Sequence, residues 1–288
     1  MNAPRIRFVQ CLSPAGLHRV AYKEWGAADN PRVLICVHGV TRVSDDFDRL
    51  AAAMSDTYRV ICPDIVGRGR SDWLRDAKHY AVPQYVSDMV TLVARADAQT
   101  VHWFGTSMGG LIGMGLAGLP GSPIEKLILN DVGPALNPAA LARIGQYIGQ
   151  PVRFASFEDG ERYIREISRP FGGHTDEEWR KFASDVLRRE DDGQWRLHYD
   201  PDIAAPLRAS DAQSMARAEA ALWQAYDAIK CPTLLVRGAQ SDLLTAETAR
   251  TMTERGPRAQ LVEIPEVGHA PSFLHDDQIA IARRFLLG

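Results

Sequence analysis

The sequence predicts an α/β protein built on a doubly wound, mostly parallel sheet, and three observations support this class. Continuous apolar runs such as Val33–Val37 suit strands that are covered on both faces, as parallel strands are. Helical patterns separate these runs, so strand and helix alternate along the chain. The alternation stops near residue 134 and resumes near residue 228, which predicts one α/β core interrupted by a helical insertion.

The first half of the chain supplies its elements in regular order. Residues 5–11 and 18–25 alternate in polarity and are predicted to be edge strands. Continuous apolar runs predict buried strands at 33–37, 58–62, 101–104 and 126–129. Helical spacing predicts helices at 46–54, 83–96 and 111–119.

The segment from residue 134 to residue 227 shows helical patterns and no convincing apolar strand. The helical patterns cover 137–148, 157–168, 175–189 and 214–226, and Thr175 with Glu178 forms a capping-box signal at the start of the third. Two further strands and a final helix then complete the α/β pattern, at 233–237, 260–264 and 272–287. We therefore predict a core formed by residues 1–133 and 228–288, with a helical cap at 134–227.

Composition and charge exclude several classes of protein. A chain of 288 residues with 45% hydrophobic residues can bury a large core, which excludes intrinsic disorder and small disulfide-stapled scaffolds. The 33 basic residues nearly balance 36 acidic ones, so the net charge is −3. This balance gives no electrostatic reason to expect nucleic acid or an anionic membrane as a partner. We expect a small-molecule partner, and the sequence leaves a homo-oligomer open.

The cysteines and the N-terminus indicate a reducing cytoplasm. Cys11, Cys36, Cys62 and Cys231 match no zinc spacing and form no Cys-x-x-Cys pair. Residues 1–10 contain no apolar run that could act as a signal peptide, and no apolar stretch reaches the ~18 residues of a membrane helix. We therefore predict a cytoplasmic protein with no metal and no cofactor.

The strongest chemical signal is the pentapeptide Gly105-Thr106-Ser107-Met108-Gly109, which lies between a predicted strand and a predicted helix. A nucleophilic serine must project from a sharp strand-to-helix turn. Such a turn leaves no room for side chains two residues before and after the serine, so glycine is needed at both positions. The helix N-terminus also directs backbone N–H groups toward a developing negative charge. Ser107 is therefore the predicted nucleophile.

A serine nucleophile needs a base, and the base needs an acid that fixes its tautomer. His269 follows the last predicted strand, at the sheet edge where a doubly wound fold presents its functional residues. Two aspartates that follow strands would keep the chain order nucleophile, acid, base. We predict His269 as the base and Asp242 as the acid, with Asp131 as the alternative acid.

Backbone N–H groups of Val40 and Met108 form the predicted oxyanion hole, because one follows an early strand and the other follows the nucleophile. His38 ends that early strand and is interpreted as structural. Gly39 and Arg42 are predicted to bind substrate, Arg42 through a substrate carboxylate or hydroxyl. The alternative interpretation of Arg42 is a surface arginine.

Five motifs in this order resemble the α/β-hydrolase fold superfamily, and the likeness covers nearly the whole chain. They are His38-Gly39, Asp64-x-x-Gly67-x-Gly69-x-Ser71, the turn around Ser107, the segment 238–242 and Gly268-His269. The resemblance implies an eight-stranded, mostly parallel sheet with a helical cap after strand six. The second motif lacks the Gly-x-Gly-x-x-Gly spacing of a dinucleotide site, and the chain has no Walker lysine, so no nucleotide is expected.

The resemblance implies a serine hydrolase that cleaves a carboxylic ester of a small or medium acyl substrate through an acyl-enzyme. Dehalogenases and epoxide hydrolases of the superfamily have an aspartate where this chain has Ser107. Two alternatives stay open: a carbon–carbon hydrolase of the vinylogous diketone-acid type, which would use a cap arginine, and a non-catalytic ligand-binding protein. The segments around Arg42, 64–73 and 130–134 are also similar to small bacterial esterases, which implies 3-hydroxybutyrate oligomers as a candidate substrate.

Overall fold

The structure, a computed structural model, describes residues 3–98 and 100–288. The strands in chain order are β1 (Arg5–Ser13), β2 (Gly16–Trp25), β3 (Val33–Val37), β4 (Arg59–Pro63), β5 (Val101–Thr106), β6 (Ile124–Asn130), β7 (Arg153–Phe154), β8 (Leu187–Arg189), β9 (Trp195–Leu197), β10 (Thr233–Gly238) and β11 (Gln260–Ile264). Eight strands form one sheet in the order β1-β2-β4-β3-β5-β6-β10-β11. The β1-β2 and β2-β4 pairs are antiparallel and all other neighbours are parallel, which confirms the predicted sheet.

Helices alternate with these strands and cover both faces of the sheet. They are α1 (Asp48–Met54), α2 (Val82–Arg95), α3 (Met108–Ala117), α4 (Pro138–Gly145), α5 (Phe157–Ile167), α6 (Asp176–Val186), α7 (Ala205–Arg208), α8 (Ala212–Ala228), α9 (Ala246–Glu254) and α10 (Asp276–Leu287). The capping box that the sequence indicates at Thr175 and Glu178 is formed at the start of α6. Within the described ranges no helix combines the length and the apolar character needed to cross a membrane.

The central strands are apolar along their whole length because both of their faces are buried. Every residue of β3 is at most 1% exposed. Leu34 and Cys36 belong to an apolar cluster with α1 and α10, whereas Ile35 and Val37 belong to a second cluster with α2 and α3. Full burial of one such aliphatic side chain contributes about 1.5–3 kcal/mol, so the pattern of β3 has a direct energetic cause.

The segment between β6 and β10 departs from the sequence prediction in one respect. It contains the short strands β7, β8 and β9, which form a separate antiparallel sheet in the order β7-β9-β8. The expectation of a segment without strands is therefore wrong. These strands have only two or three residues each, too few to show the period-two alternation by which a strand is detected.

Helix α8 contacts α3 and α9, which both belong to the predicted core. A Cβ added to Gly118, at the C-terminus of α3, would overlap the backbone of Ala225 in α8. The hydroxyl of Tyr226 donates a hydrogen bond to the carbonyl of Met252 in α9 at 2.6 Å. By these contacts the C-terminal end of α8 packs on the helix layer of the core, although nearly all of α8 lies within the predicted cap at 134–227. The division into domains itself stays a prediction.

This packing predicts that Gly118→Ala destabilises the fold. Gly118 has φ −78°, which alanine also adopts, so the effect comes from the overlap with Ala225 and not from backbone strain. Overpacking of this kind typically costs about 1–3 kcal/mol, which urea denaturation would measure as a lower midpoint. Gly173→Ala is the matched control, because a Cβ there meets no atom within 4 Å. Equal midpoints for the two variants would contradict the close contact of α3 and α8.

Candidate active site

Ser107 lies at a strained turn between β5 and α3. Its backbone has φ 52° and ψ −114°, outside the regions that residues with a side chain ordinarily adopt. A Cβ at Gly105 would overlap the backbone of Gly109, and a Cβ at Gly109 would overlap the carbonyl of Val37 in β3. The two glycines that the sequence analysis requires on either side of the serine therefore have a steric cause, and the turn holds Ser107 against the end of β3.

A chain of hydrogen bonds links Ser107, His269 and Asp131. His269 Nε2 lies 2.9 Å from Ser107 Oγ, and His269 Nδ1 lies 2.7 Å from Asp131 Oδ2. A carboxylate only accepts hydrogen bonds, so the ring proton lies on Nδ1 and leaves Nε2 free to accept from the serine hydroxyl. Asp131 is fully buried and also accepts hydrogen bonds from the N–H of Gly238 and the hydroxyl of Ser241, at 2.8 and 2.6 Å.

The prediction that Asp242 orients His269 is wrong. The Asp242 carboxylate is half exposed and forms a two-point ion pair with Arg143, with N–O distances of 2.8 and 2.9 Å. The loop that contains it contributes hydrogen-bond donors to Asp131 and not the acid itself. Sheet order explains the result, because β6, which precedes Asp131, lies beside β5, whereas β10 lies one strand further from the nucleophile.

The loop after β3 is fixed by hydrogen bonds to its carbonyl groups. The Gly39 carbonyl accepts from His38 Nδ1 at 2.7 Å and from the N–H of Arg42 at 3.1 Å. A planar trans peptide points its N–H opposite to its carbonyl, so the N–H of Val40 is directed away from His38. Among the hydrogen bonds of the described residues, none is donated by the backbone N–H of Val40 or of Met108. Both predicted oxyanion donors are thus free to serve a ligand.

His38 has the structural role that its position suggests. Its side chain is fully buried, and Nε2 accepts the backbone N–H of Ile65 at 2.9 Å while Nδ1 donates to Gly39. Burial lowers the pKa of His38, so the ring is neutral with its proton on Nδ1. The neutral ring therefore connects the loop after β3 to the loop after β4.

Arg68 is a site residue that the sequence analysis did not single out, although it lies inside the second motif. Its guanidinium is almost fully buried, and Nε donates to the Val40 carbonyl at 2.9 Å. Nη1 donates to the Val66 carbonyl and the Tyr85 hydroxyl, and Nη2 lies 3.6 Å from Met108 Sδ. Arg68 thus contacts both residues whose N–H groups are the predicted oxyanion donors.

Comparison with known proteins places the chain in a family. Residues 34–283 match the model of the alpha/beta hydrolase family. The chain belongs to the alpha/beta hydrolase family. This result confirms the resemblance inferred from the five motifs, and the strained turn at Ser107 and the parallel sheet are features of the same family.

Individual relatives of this hydrolase are similar over most of their length. The chain is 58% identical over 289 residues to a 3-hydroxybutyrate-oligomer hydrolase of Cupriavidus necator, and the match covers 99% of each chain. It is 27% identical over 255 residues to an esterase of Mycobacterium tuberculosis, with 85% of this chain and 78% of the relative covered. An alpha/beta hydrolase structure from Novosphingobium aromaticivorans superposes with a TM-score of 0.86 at 33% identity, covering 100% of this chain and 99% of that one.

The cleft above Ser107 lies between the sheet edge and the cap. Most of its wall is apolar, and the cap contributes the apolar side chains of Ile144, Ile164, Ile167, Phe171, Phe182, Val186 and Leu197. The polar groups on the cap side include the side chains of Arg143, Tyr147 and Tyr199. A pocket of this kind suits an aliphatic ligand with few polar groups.

Gly39 and Arg42, the predicted substrate-binding residues, both line the cleft. The Arg42 side chain is buried, which excludes the interpretation of a surface arginine. Its charge is already paired, since Nη2 lies 2.6 Å and Nε 2.9 Å from oxygens of Asp46. The guanidinium also lies over the Phe182 ring and 3.4 Å from the Phe182 carbonyl, so Arg42 connects the loop after β3 to α6. Its contact with substrate stays a prediction.

The geometry predicts opposite outcomes for the two aspartates. Asp131→Asn places an amide against His269 Nδ1 and favours the wrong imidazole tautomer, so kcat is expected to fall about 10⁴-fold. Asp242→Asn removes only an exposed ion pair with Arg143 and is expected to leave kcat nearly unchanged. Steady-state kinetics with a chromogenic ester would measure both variants, with circular dichroism as the check on folding. The reverse ranking would restore Asp242 as the acid.

Proposed function

We propose that the protein is a serine hydrolase that cleaves carboxylic esters through an acyl-enzyme intermediate. The observation that supports this most directly is the hydrogen-bonded series Ser107, His269 and Asp131, which begins at the strained turn after β5. The identity of the nucleophile, the direction of the base and the buried acid all agree with acyl transfer. One relative is named as an esterase and another as a 3-hydroxybutyrate-oligomer hydrolase, and both names point to the same reaction class.

The proposed first half-reaction forms the acyl-enzyme. Ser107 Oγ attacks the ester carbonyl carbon while His269 Nε2 accepts the hydroxyl proton, at a starting separation of 2.9 Å. Asp131 stabilises the imidazolium that results. When the tetrahedral intermediate collapses, the bond to the alcohol oxygen breaks and His269 gives its proton to that oxygen. Water then repeats the sequence on the acyl-enzyme, releasing the acid and restoring the Ser107 hydroxyl.

The negatively charged oxygen of each tetrahedral intermediate would accept hydrogen bonds from the N–H groups of Val40 and Met108. One such donor typically contributes about 10²–10³-fold to the rate, provided that it is held in place before the reaction. His38 and Arg68 supply this preorganisation by binding the carbonyl groups on either side of the Val40 N–H. Met108 is the first residue of α3, where backbone N–H groups have no partner inside the helix.

We further propose that oligomers of 3-hydroxybutyrate are the substrate. Support comes from the identity of 58% to the 3-hydroxybutyrate-oligomer hydrolase and from its coverage of 99% of both chains. Each repeat of such an oligomer carries one ester and one methyl branch, and only the two ends are strongly polar. The apolar cap wall fits the methyl-bearing backbone, and the side chains of Tyr147 and Tyr199 lie where a polar chain end can be bound.

The carbon–carbon hydrolase alternative receives no support from the cap. It would need a cap arginine that faces the cleft, and the sequence offers Arg153, Arg162, Arg165, Arg169 and Arg180. Each of these forms an ion pair with an acidic residue of the cap. In the described part of the chain none of the five lines the cleft above Ser107. Arg143 does line it, but its charge is shared with Asp242.

Active-site labelling tests the reaction class. A fluorophosphonate should form one covalent adduct per chain at Ser107, and Ser107→Ala should remove both the adduct and about 10⁶-fold of kcat. Peptide mapping by mass spectrometry identifies the labelled residue. A native protein that takes up no label would contradict the hydrolase proposal and favour the non-catalytic binding protein.

A substrate comparison tests the proposed oligomer. The dimer and trimer of 3-hydroxybutyrate should be cleaved to monomer with kcat/KM well above that of a p-nitrophenyl ester with a long unbranched acyl chain. A vinylogous diketone acid serves as the control for carbon–carbon cleavage, and liquid chromatography measures every product. Turnover of short p-nitrophenyl esters without cleavage of the oligomers would reject this substrate and leave the ester hydrolase proposal standing.

A further inference from the structure

Three potential metal ligands meet where the cap contacts the core, outside the cleft above Ser107. His174 and Glu178 lie at the start of α6, and His275 directly precedes α10. One ligand atom from each residue lies within 4.8 Å of the other two. The Glu178 carboxylate lies between the rings, with Oε2 3.6 Å from His174 Nδ1 and Oε1 3.3 Å from His275 Nε2.

The surroundings of His174 indicate that this side chain binds a ligand. Its side chain is only 1% exposed, and neither ring nitrogen makes a hydrogen bond of good geometry with the described part of the chain. The ring packs against Trp179 and Phe182, each at a centroid distance of 5.1 Å. Buried polar groups are normally paired, so two unsatisfied nitrogens on one buried ring need an explanation.

We propose that His174, Glu178 and His275 form a binding site for one divalent transition-metal ion, with zinc as the best-fitting candidate. Zinc bonds to imidazole nitrogen and carboxylate oxygen are about 2.0–2.2 Å long, so ligand atoms around a tetrahedral ion lie about 3.3–3.5 Å apart. Glu178 Oε1 and Oε2 lie 3.3 and 3.6 Å from the nearer ring nitrogens of His275 and His174, close to that spacing, and the three ligand atoms lie within 4.8 Å of one another. Two imidazoles and one carboxylate favour zinc, nickel or cobalt over magnesium or calcium.

The surroundings of Glu178 support this role. Its Oε2 accepts the backbone N–H of Thr175 at 2.8 Å in the capping box, and this hydrogen bond fixes the orientation of the carboxylate before an ion binds. The side chains of Glu178 and His275 are 23% and 39% exposed, so an ion can enter from solvent and keep a water molecule as its fourth ligand. The site is therefore open on one side and preorganised on the other.

A second cluster of similar composition does not carry the same inference. Cys11, His18 and Asp88 are all buried, but His18 Nε2 already lies 3.1 Å from Asp88 Oδ2. Gln84 donates to the other oxygen of Asp88 at 2.8 Å. Burial raises the pKa of the Cys11 thiol to about 12, so it stays protonated near neutral pH. This group is largely satisfied by its own contacts.

An ion at His174, Glu178 and His275 would connect the cap to the catalytic loop. Phe182, one turn after Glu178, lines the cleft, and the loop from His269 to Ser272 lines it from the other side and leads to His275. Metal binding would therefore limit how far α6 can move from the loop that contains His269. The inference does not depend on the reaction proposed for Ser107.

Zinc titration of the full-length protein tests the site. The protein is treated with EDTA, desalted, and titrated with Zn²⁺ by calorimetry, with thermal unfolding measured with and without the ion. We expect one ion per chain and a higher unfolding midpoint.

Two variants remove one ligand each and leave the helices capped. Glu178→Gln keeps an N3 side chain that can complete the capping box but loses the anionic ligand. His275→Ala removes no helix cap, because the His275 side chain forms no cap hydrogen bond. Each should weaken binding about tenfold or more.

Matched controls separate this site from general binding. Glu177→Gln removes the neighbouring exposed charge, and His79→Ala removes a remote histidine; both should keep the wild-type Kd. Co²⁺ substitution should give the visible spectrum of a tetrahedral ion in the wild type and not in His275→Ala. Absence of saturable binding, or equal Kd values for wild type, Glu178→Gln and His275→Ala, would overturn the proposal. Neither result would change the fluorophosphonate labelling of Ser107.

Discussion

The close approach of the turn at Ser107 to the end of β3 is the constraint on which the active site depends. Gly109 lies so near the Val37 carbonyl that no side chain fits between them. The same contact brings the loop that follows β3 beside the serine, so that a Cβ added to Gly39 would lie 3.7 Å from Ser107 Cβ. One steric relationship therefore positions both the nucleophile and the predicted oxyanion donors.

The strands of the core could be predicted from the sequence wherever their burial requires a regular pattern of apolar residues. Strands β3 to β6 and β10 are recognisable because burial on both faces demands continuous apolar runs, and the predicted bounds agree with the structure to within a few residues. The edge strand β11 was recognisable too, although it is less buried. Strands β7, β8 and β9 left no such signal, since two or three residues cannot display a period. The position of α8 against α3 was also hidden, because a helix on the core and a helix of the cap have the same spacing.

The order of residues along the chain does not decide which aspartate is the partner of His269. Asp131 and Asp242 both follow parallel strands and both precede His269, so the sequence alone treats them alike. The difference lies in the backbone at Asp131, which has φ 57° and turns its carboxylate toward the histidine loop. Asp242 instead turns toward Arg143 on α4. The order of the strands beside the nucleophile and the left-handed backbone of Asp131 decide between the two aspartates. Neither feature can be inferred from the residue types.

The second motif, residues 64–71, contains glycines like those of a ligand-binding loop, but in the structure it supports a side chain. Asp64 accepts the backbone N–H groups of Ser44 and Arg70, and Gly69 is needed because a Cβ there would overlap the Asp64 carboxylate. The loop thus forms a rigid support for Arg68, whose guanidinium binds the Val40 carbonyl.

The same loop also binds the cap. The N–H of Gly69 donates to the carbonyl of His198 at 3.0 Å, and the carbonyl of Gly67 accepts the N–H of Asp200 at 2.8 Å. Arg68 lies between these two contacts in the chain, so a displacement of the cap at residues 198–200 acts on the residue that holds the Val40 carbonyl. Cap position and the geometry of the predicted oxyanion donors are consequently coupled through a short run of backbone. A substrate that fills the cleft and fixes the cap would, by this connection, also fix the donors that its own reaction needs.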